Sequence, residues 1–161
     1  MLLIISILQS HNIIDNYIIK LTVLQYFADI LTVAIVADVM PLNYENRSIV
    51  KYGVLKMRTS PLTGFSALLN VSGVKINDVT AEKIAFSICP RINAAGRMGS
   101  AKIAVELLCE SDILKALKIA NEIDELNALR QQTEKNICAS VFTQIEQNGY
   151  CYQQQNYQMY I

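Results

Sequence analysis

Charge, histidine and paired cysteines are all scarce in this chain, and each scarcity closes off a class of function. Only 17% of the 161 residues are Asp, Glu, Lys or Arg, against a usual share of about 25%. The 14 basic and 14 acidic residues cancel to a formal net charge of zero. A tight, sequence-independent grip on nucleic acid draws on many Lys and Arg contacts to phosphate, so zero net charge speaks against it while leaving room for a small local phosphate site. The single histidine, His11, stands in an apolar N-terminal stretch with no cysteine near it, so no Ser/His/Asp or Cys/His arrangement is credible. Cys89, Cys109, Cys138 and Cys151 are scattered without a C-x-x-C pair; they read as free thiols in a reducing cytoplasm rather than as a zinc site. A P-loop and a G-x-G-x-x-G fingerprint are missing as well.

Long apolar runs are lacking too. The opening MLLIISILQS has no basic residue ahead of Lys20 and breaks at Gln9, Ser10 and His11, which fits neither a signal peptide nor a span of about 20 apolar residues. The run from Ile30 to Ala37 is shorter still, and no membrane association is expected. What the chain does have is apolar surface: 52% of its residues are hydrophobic and its mean hydropathy is +0.27. A chain of this length reads as one ordinary domain able to bury roughly 70% of its unfolded surface, with apolar faces left over for a partner.

Helical spacing dominates the pattern. Met1 to Phe27 reads as helical, while Ile30–Ala37 is rich in β-branched residues and fits either a buried strand or a helix packed all round. Asn43 to Asn46 is turn-like, and Ile49, Val50, Val54 and Met57 then form a helical stripe up to Thr59, Ser60 and Pro61. Pro61 to Asn70 predicts a short helix with Phe65, Leu68 and Leu69 on its apolar face, followed by a loop at Ser72 to Val74. Thr80 is placed to cap a helix that Pro90 is expected to stop. Ser100 can cap the next, and Ser111 or Asp112 a last one running to Gln147, where Asn148 and Gly149 supply a stop. At about 1.5 Å per residue that last helix would be roughly 54 Å long. The polar patch from Arg130 to Asn136 interrupts its heptads, which favours a strut between domains over a coiled coil. Tyr150 to Ile161 alternates aromatic and polar residues like the first strand of a further unit, so the C-terminus reads as cut.

Two places could carry chemistry. Arg91 to Gly99 combines two arginines, Asn93, and the glycines Gly96 and Gly99. As a loop it would let a backbone approach a ligand at the glycines and offer arginine forks to a phosphate; as a plain inter-helix turn, its arginines would pair with nearby acids. Asp38 ends an apolar run, where a carboxylate must be capped, paired or bound to a hard divalent cation.

Val36-Ala37-Asp38-Val39-Met40-Pro41-Leu42, Glu45-Asn46-Arg47 and Val50-Lys51-Tyr52-Gly53 resemble the last metal-ligand motif of RecJ-type exonucleases, members of the DHH phosphoesterase superfamily. The resemblance continues through Gly64 to Leu69, Thr80 to Phe86, Pro90 to Gly99, Ala104 to Leu108, Glu125 to Asn127 and Arg130-Gln131. It implies an enzyme that degrades single-stranded DNA from the 5′ end in recombination and repair, using Mn2+ or Mg2+. By the same resemblance Asp38 is a metal ligand, Arg91, Asn93 and Arg97 bind substrate phosphate, and Gly96 and Gly99 supply loop backbone. The fold it implies is mainly α as the chain stands: the C-terminal part of an α/β DHH domain over residues 1–110, a long connecting helix over 111–149, and the start of a DHH-associated domain over 150–161. That connection also makes a helix the better choice for Ile30–Ala37. The family's earlier Asp-x-Asp and Asp-His-His motifs have no counterpart here. The expectation is therefore an internal fragment, inactive alone and without bound metal of its own. The alternatives are a non-catalytic helical subunit that pairs with a separately encoded DHH piece, and a gene remnant without nuclease activity.

Overall fold

The computed structural model describes residues 16–147, and among these the secondary structure is helical throughout. The helix expected ahead of Asn16 and the strand expected over Tyr150 to Ile161 lie outside the described residues. In chain order the elements are α1 (Asn16–Ala37), α2 (Tyr44–Thr59), α3 (Thr63–Val71), a 3-10 turn (Ile76–Asp78), α4 (Ala81–Lys83), a π turn (Ile84–Ile88), α5 (Cys89–Met98), α6 (Ala101–Cys109) and α7 (Ile113–Gln147). Of the two readings left open for Ile30–Ala37, the helix is the one that forms.

Small residues set the helix spacings. α1 and α2 pack as an antiparallel pair, and a Cβ at Gly53 would collide with Thr32 and the Ala28 carbonyl. The Thr32 hydroxyl uses that closeness to donate to the Ile49 carbonyl at 3.2 Å. Beside it, the fully buried Asp29 accepts from Lys56 Nζ at 3.0 Å, which ties the two helices by charge where a lone buried carboxylate would be costly. Gly64 likewise lets α3 lie against the backbone of α6 at Leu107. Met57, Phe65, Leu68, Ile84, Ile88, Leu107 and Ile123 fill the space between, each at most 1% exposed. Burying side chains of this size stabilises the fold by about 1.5–3 kcal/mol apiece. Ala116 and Ala120, one turn apart on α7, keep that helix close to the rest of the core.

The caps behave as their chemistry predicts. Thr80 Oγ1 accepts from Lys83 N at 3.1 Å, Ser100 Oγ from Lys102 N at 3.3 Å, and Asp112 Oδ1 from Leu114 N at 2.8 Å. Each hydroxyl or carboxylate satisfies a donor that the first helical turn leaves free.

Three expectations need correction. Pro90 does not stop its helix: α4, the π turn and α5 follow one another without a break from Ala81 to Met98. In a regular helix the Pro90 ring would meet the Phe86 carbonyl, but here the preceding turn is one residue wider, with Cys89 N donating to the Ile84 carbonyl. For the same reason Arg91 to Gly99 is no loop. It is helical up to Met98, and Gly96 sits in the helix while Gly99 terminates it. The turn expected at Asn43–Asn46 is also shorter, since α2 already begins at Tyr44.

α7 is 35 residues long, or about 52 Å. Ala116, Ala120, Ile123 and Asn127 on its first half are buried, whereas every residue from Gln131 to Gln147 is exposed apart from the half-buried Ile145. None of the described helices is long and apolar enough to cross a membrane.

Candidate functional site

Asp38 occupies the C-terminal cap of α1. Met40 N donates to the Ile35 carbonyl at 3.0 Å and Val39 N to the Val36 carbonyl at 3.2 Å, the paired bonds of a Schellman closure. That closure needs a left-handed residue, usually glycine, and here it is Val39 at φ 51°. A β-branched residue in that region is strained by about 1–2 kcal/mol, and strain of this kind gathers at functional sites. Asp38 itself is exposed and makes no ion pair among the described residues. Its charge lies at the negative end of the helix dipole, the place where a cation rather than an anion is stabilised. By itself it is one carboxylate: no three His, Cys, Asp or Glu residues come together among the described residues.

The helical path from Ala81 to Met98 carries the other candidates, and its register separates them. Arg91 turns inward, where its Nε donates to Asp124 Oδ1 and its Nη1 to the Ser87 carbonyl, both at 2.7 Å. Arg91 thus clamps α5 to α7. Asn93 and Arg97, four residues apart, are exposed on another face. They form a ridge between two clefts and line both. One cleft, about 610 Å³ in volume, is also lined by Asp38, Gly96 and Ala101. The other, about 430 Å³, is also lined by Val39, Phe86, Pro90 and Arg130. Asp38 and the Asn93–Arg97 pair are therefore brought together, while Arg91 is engaged elsewhere.

The two glycines play different parts. A Cβ at Gly96 would meet nothing within 4 Å, whereas one at Gly99 would come within 3.2 Å of Leu126 Cδ1 on α7. Gly99 is thus a packing position and Gly96 an open one. Cys89 also lines the smaller cleft, but burial pushes its thiol up to about 11, which keeps it protonated and poorly nucleophilic near neutral pH.

Phe86 and Arg130 lie within the stretches that carry the resemblance but are not among the expected site residues. A partial signal exists in the spacing: residues 90, 93 and 97 recur at intervals of three and four, the mark of one helical face, and the π turn brings Phe86 to the same cleft. Reading Pro90 as a stop hides it. Arg130 is brought to the cleft by the packing of α7 on α5, and nothing local announces that.

In class, then, this is a mainly α module with an arginine-bearing cleft beside a strained, carboxylate-bearing helix end. No protein-family model matches the chain. The single-stranded-DNA-specific exonuclease RecJ of Bacillus subtilis is 35% identical over 121 residues, which is 75% of this chain and 15% of that protein. The crystal structure of Thermus thermophilus RecJ in complex with Mg2+ matches 73% of this chain and 18% of its own, at 38% identity and a TM-score of 0.66. The corresponding complex with Mn2+ matches 75% of this chain and 18% of its own, at 37% identity and a TM-score of 0.68. The chain belongs to the RecJ family, and it spans well under a third of the length of these relatives.

Proposed function

We propose that this chain forms one wall of the substrate cleft of a RecJ-type exonuclease acting on single-stranded DNA from the 5′ end in recombination and repair, and that it does not hydrolyse DNA by itself. One observation carries the reading: Asn93 and Arg97 stand on a ridge shared by two clefts, and Asp38 lines one of them. A phosphate on that ridge would meet an arginine fork and an amide donor, with a carboxylate suited to a hard cation alongside. Mn2+ or Mg2+, when bound, supplies charge neutralisation at the phosphate and a water that ionises more easily. The described residues fit that group in part only, since Asp38 offers one ligand and belongs to no group of three His, Cys, Asp or Glu among them; the remaining ligands would come from outside them.

In this reading each side chain has a separate task. Arg97 holds and orients the phosphate, Asn93 donates to it, and Asp38 contributes a cation ligand. Arg91 acts indirectly, because its bonds to Asp124 and Ser87 fix the helix that presents the other two. Residues up to Glu110 serve as the terminal part of a DHH domain, and α7 serves as the connection to a second domain.

The test uses the purified chain with 5′-phosphorylated single-stranded DNA. The expected result is binding that weakens several-fold in Arg97→Gln, without digestion in Mn2+. Binding unchanged in Arg97→Gln would overturn the phosphate assignment. Mn2+-dependent digestion that is lost in Asp38→Ala would overturn the claim that the chain is inactive alone.

A further inference from the structure

The smaller cleft is lined both by arginines and by an aromatic ring. Asn93, Arg97 and Arg130 line it together with Phe86, Pro90 and Val39. Phe86 is 72% exposed, an unusual position for the largest apolar side chain on its helix. Its neighbours explain how it is held there. Ile84 and Ile88 on either side are buried in the core, so the π turn is anchored by both ends and carries Phe86 outward between them. Single π turns inside helices recur at functional sites, because the wider turn re-aims a side chain without breaking the rod.

The helix face then runs Phe86, Pro90, Asn93, Arg97, spanning about 16 Å at 1.5 Å per residue. On α7, Arg130 gives its Nη1 to Glu134 at 2.9 Å and lines the cleft with the rest of its guanidinium. A permanently charged planar fork with five donors, of which one is already used, suits an anion at the cleft wall. A volume of about 430 Å³ falls in the range of small-ligand sites. The ligand chemistry that matches a cleft offering guanidinium and amide donors together with an aromatic face is a nucleotide within a single strand.

We propose that Phe86 is a base-stacking platform for single-stranded nucleic acid, with Arg130 completing the grip of Arg97 on the adjoining phosphate. The proposal rests on the phosphate reading of Arg97 given above and adds to it the base contact and the second arginine. Stacking on an aromatic ring accepts any base, since every base has a π face. The platform therefore supplies affinity and register without sequence preference. Because Phe86 is exposed, its replacement leaves the core intact.

The experiment measures binding of the full chain by fluorescence anisotropy to two probes of equal length and charge. One is a 5′-phosphorylated oligothymidylate of about ten nucleotides, and the other is the same backbone without bases. Phe86→Leu is expected to weaken the oligothymidylate about tenfold, in line with the typical contribution of one stacked base, and to leave the abasic probe unchanged. Phe86→Tyr is expected to keep wild-type binding to both. Arg97→Gln and Arg130→Gln should weaken both probes alike. If Phe86→Leu affects the two probes equally, or neither, the platform is overturned. If Arg130→Gln leaves both probes unchanged, its share in the phosphate grip is overturned. If Arg97→Gln leaves both unchanged while Phe86→Leu still discriminates, the phosphate reading fails and the platform stands. Failure of the wild-type chain to bind either probe overturns both.

Discussion

The two halves of α7 have the same backbone and different reasons for it. From Ile113 to Arg130 the helix lies on the body, with Ala116, Ala120, Ile123 and Asn127 buried and Asp124 held by Arg91 at 2.7 Å. From Gln131 onward it leaves the body, and Ile137, Val141 and Phe142 are 57%, 46% and 63% exposed. What supports the outer half is local: Arg130 to Glu134 and Gln132 to Asn136, each at 2.9 Å and four residues apart. Such pairs contribute about 0.2–0.5 kcal/mol each, whereas most helical stability in proteins comes from packing an apolar face. Equal helicity therefore conceals unequal stability, and an apolar residue on this helix reports on its surroundings rather than on its type.

Ile123→Ala and Ile137→Ala make the same chemical change on the two halves, and they set the comparison at its widest. Ile123 is fully buried, so its truncation should cost about 2–5 kcal/mol, read as a fall in urea midpoint at constant slope. Ile137→Ala should stay within about 0.5 kcal/mol of the parent. Similar losses at both positions would mean that the outer half is packed as well as the inner one.

Val39→Gly sharpens the contrast from the other side, because it concerns a strained element of the body. Val39 is 87% exposed and left-handed, so glycine removes strain and sacrifices little packing. Melting should rise by an amount equivalent to about 1 kcal/mol. A fall would show that Val39 packs on something that its exposure does not reveal.

Thiol chemistry separates core from surface, since Cys109 at the end of α6 is exposed as well. Cys138 on the outer half is exposed and Cys89 in the body is buried. At neutral pH a maleimide should modify Cys138 readily and Cys89 only as the body unfolds. Burial moves the Cys89 thiol from its ordinary 9.0 up to about 11. Its folded value is raised, so its contribution to stability is fully present below pH 9 and is lost as pH climbs toward 11. Cys89→Ala should flatten that alkaline decline, and an unchanged decline would assign it to other groups.

How much of this was legible in the sequence depends on whether the cause is local. Thr80, Ser100 and Asp112 are readable as caps because a cap is a contact within three residues. The apolar stripe of α3 is readable because Phe65, Leu68 and Leu69 lie at helical spacing. Pro90 misleads, since its usual effect is local while its tolerance here depends on a π turn anchored in the core by Ile84 and Ile88. That one misreading turns a helix into a loop and hides the site's order. Along a helix of about 100° per residue, Arg91 and Arg97 lie roughly 120° apart, so they leave the helix on different faces. Once the stretch is helical, the shared face of residues 93 and 97 follows from arithmetic, while the direction of Phe86 is set by the π turn. Asp124 and Arg130, by contrast, reach α5 through tertiary packing, and no spacing in the sequence foretells their partners.

The smallest effect is the most telling test of the comparison. Phe142 is the bulkiest apolar side chain on the outer half and is 63% exposed. If this half is held only by its own turns, Phe142→Gln removes no buried surface and should shift stability by less than about 0.5 kcal/mol, while amide exchange beyond Gln131 stays fast in parent and variant alike. A loss above about 1 kcal/mol, accompanied by slow exchange in the parent, would require a surface against which Ile137, Val141 and Phe142 are packed in solution. Either result fixes the point along α7 at which the body ends.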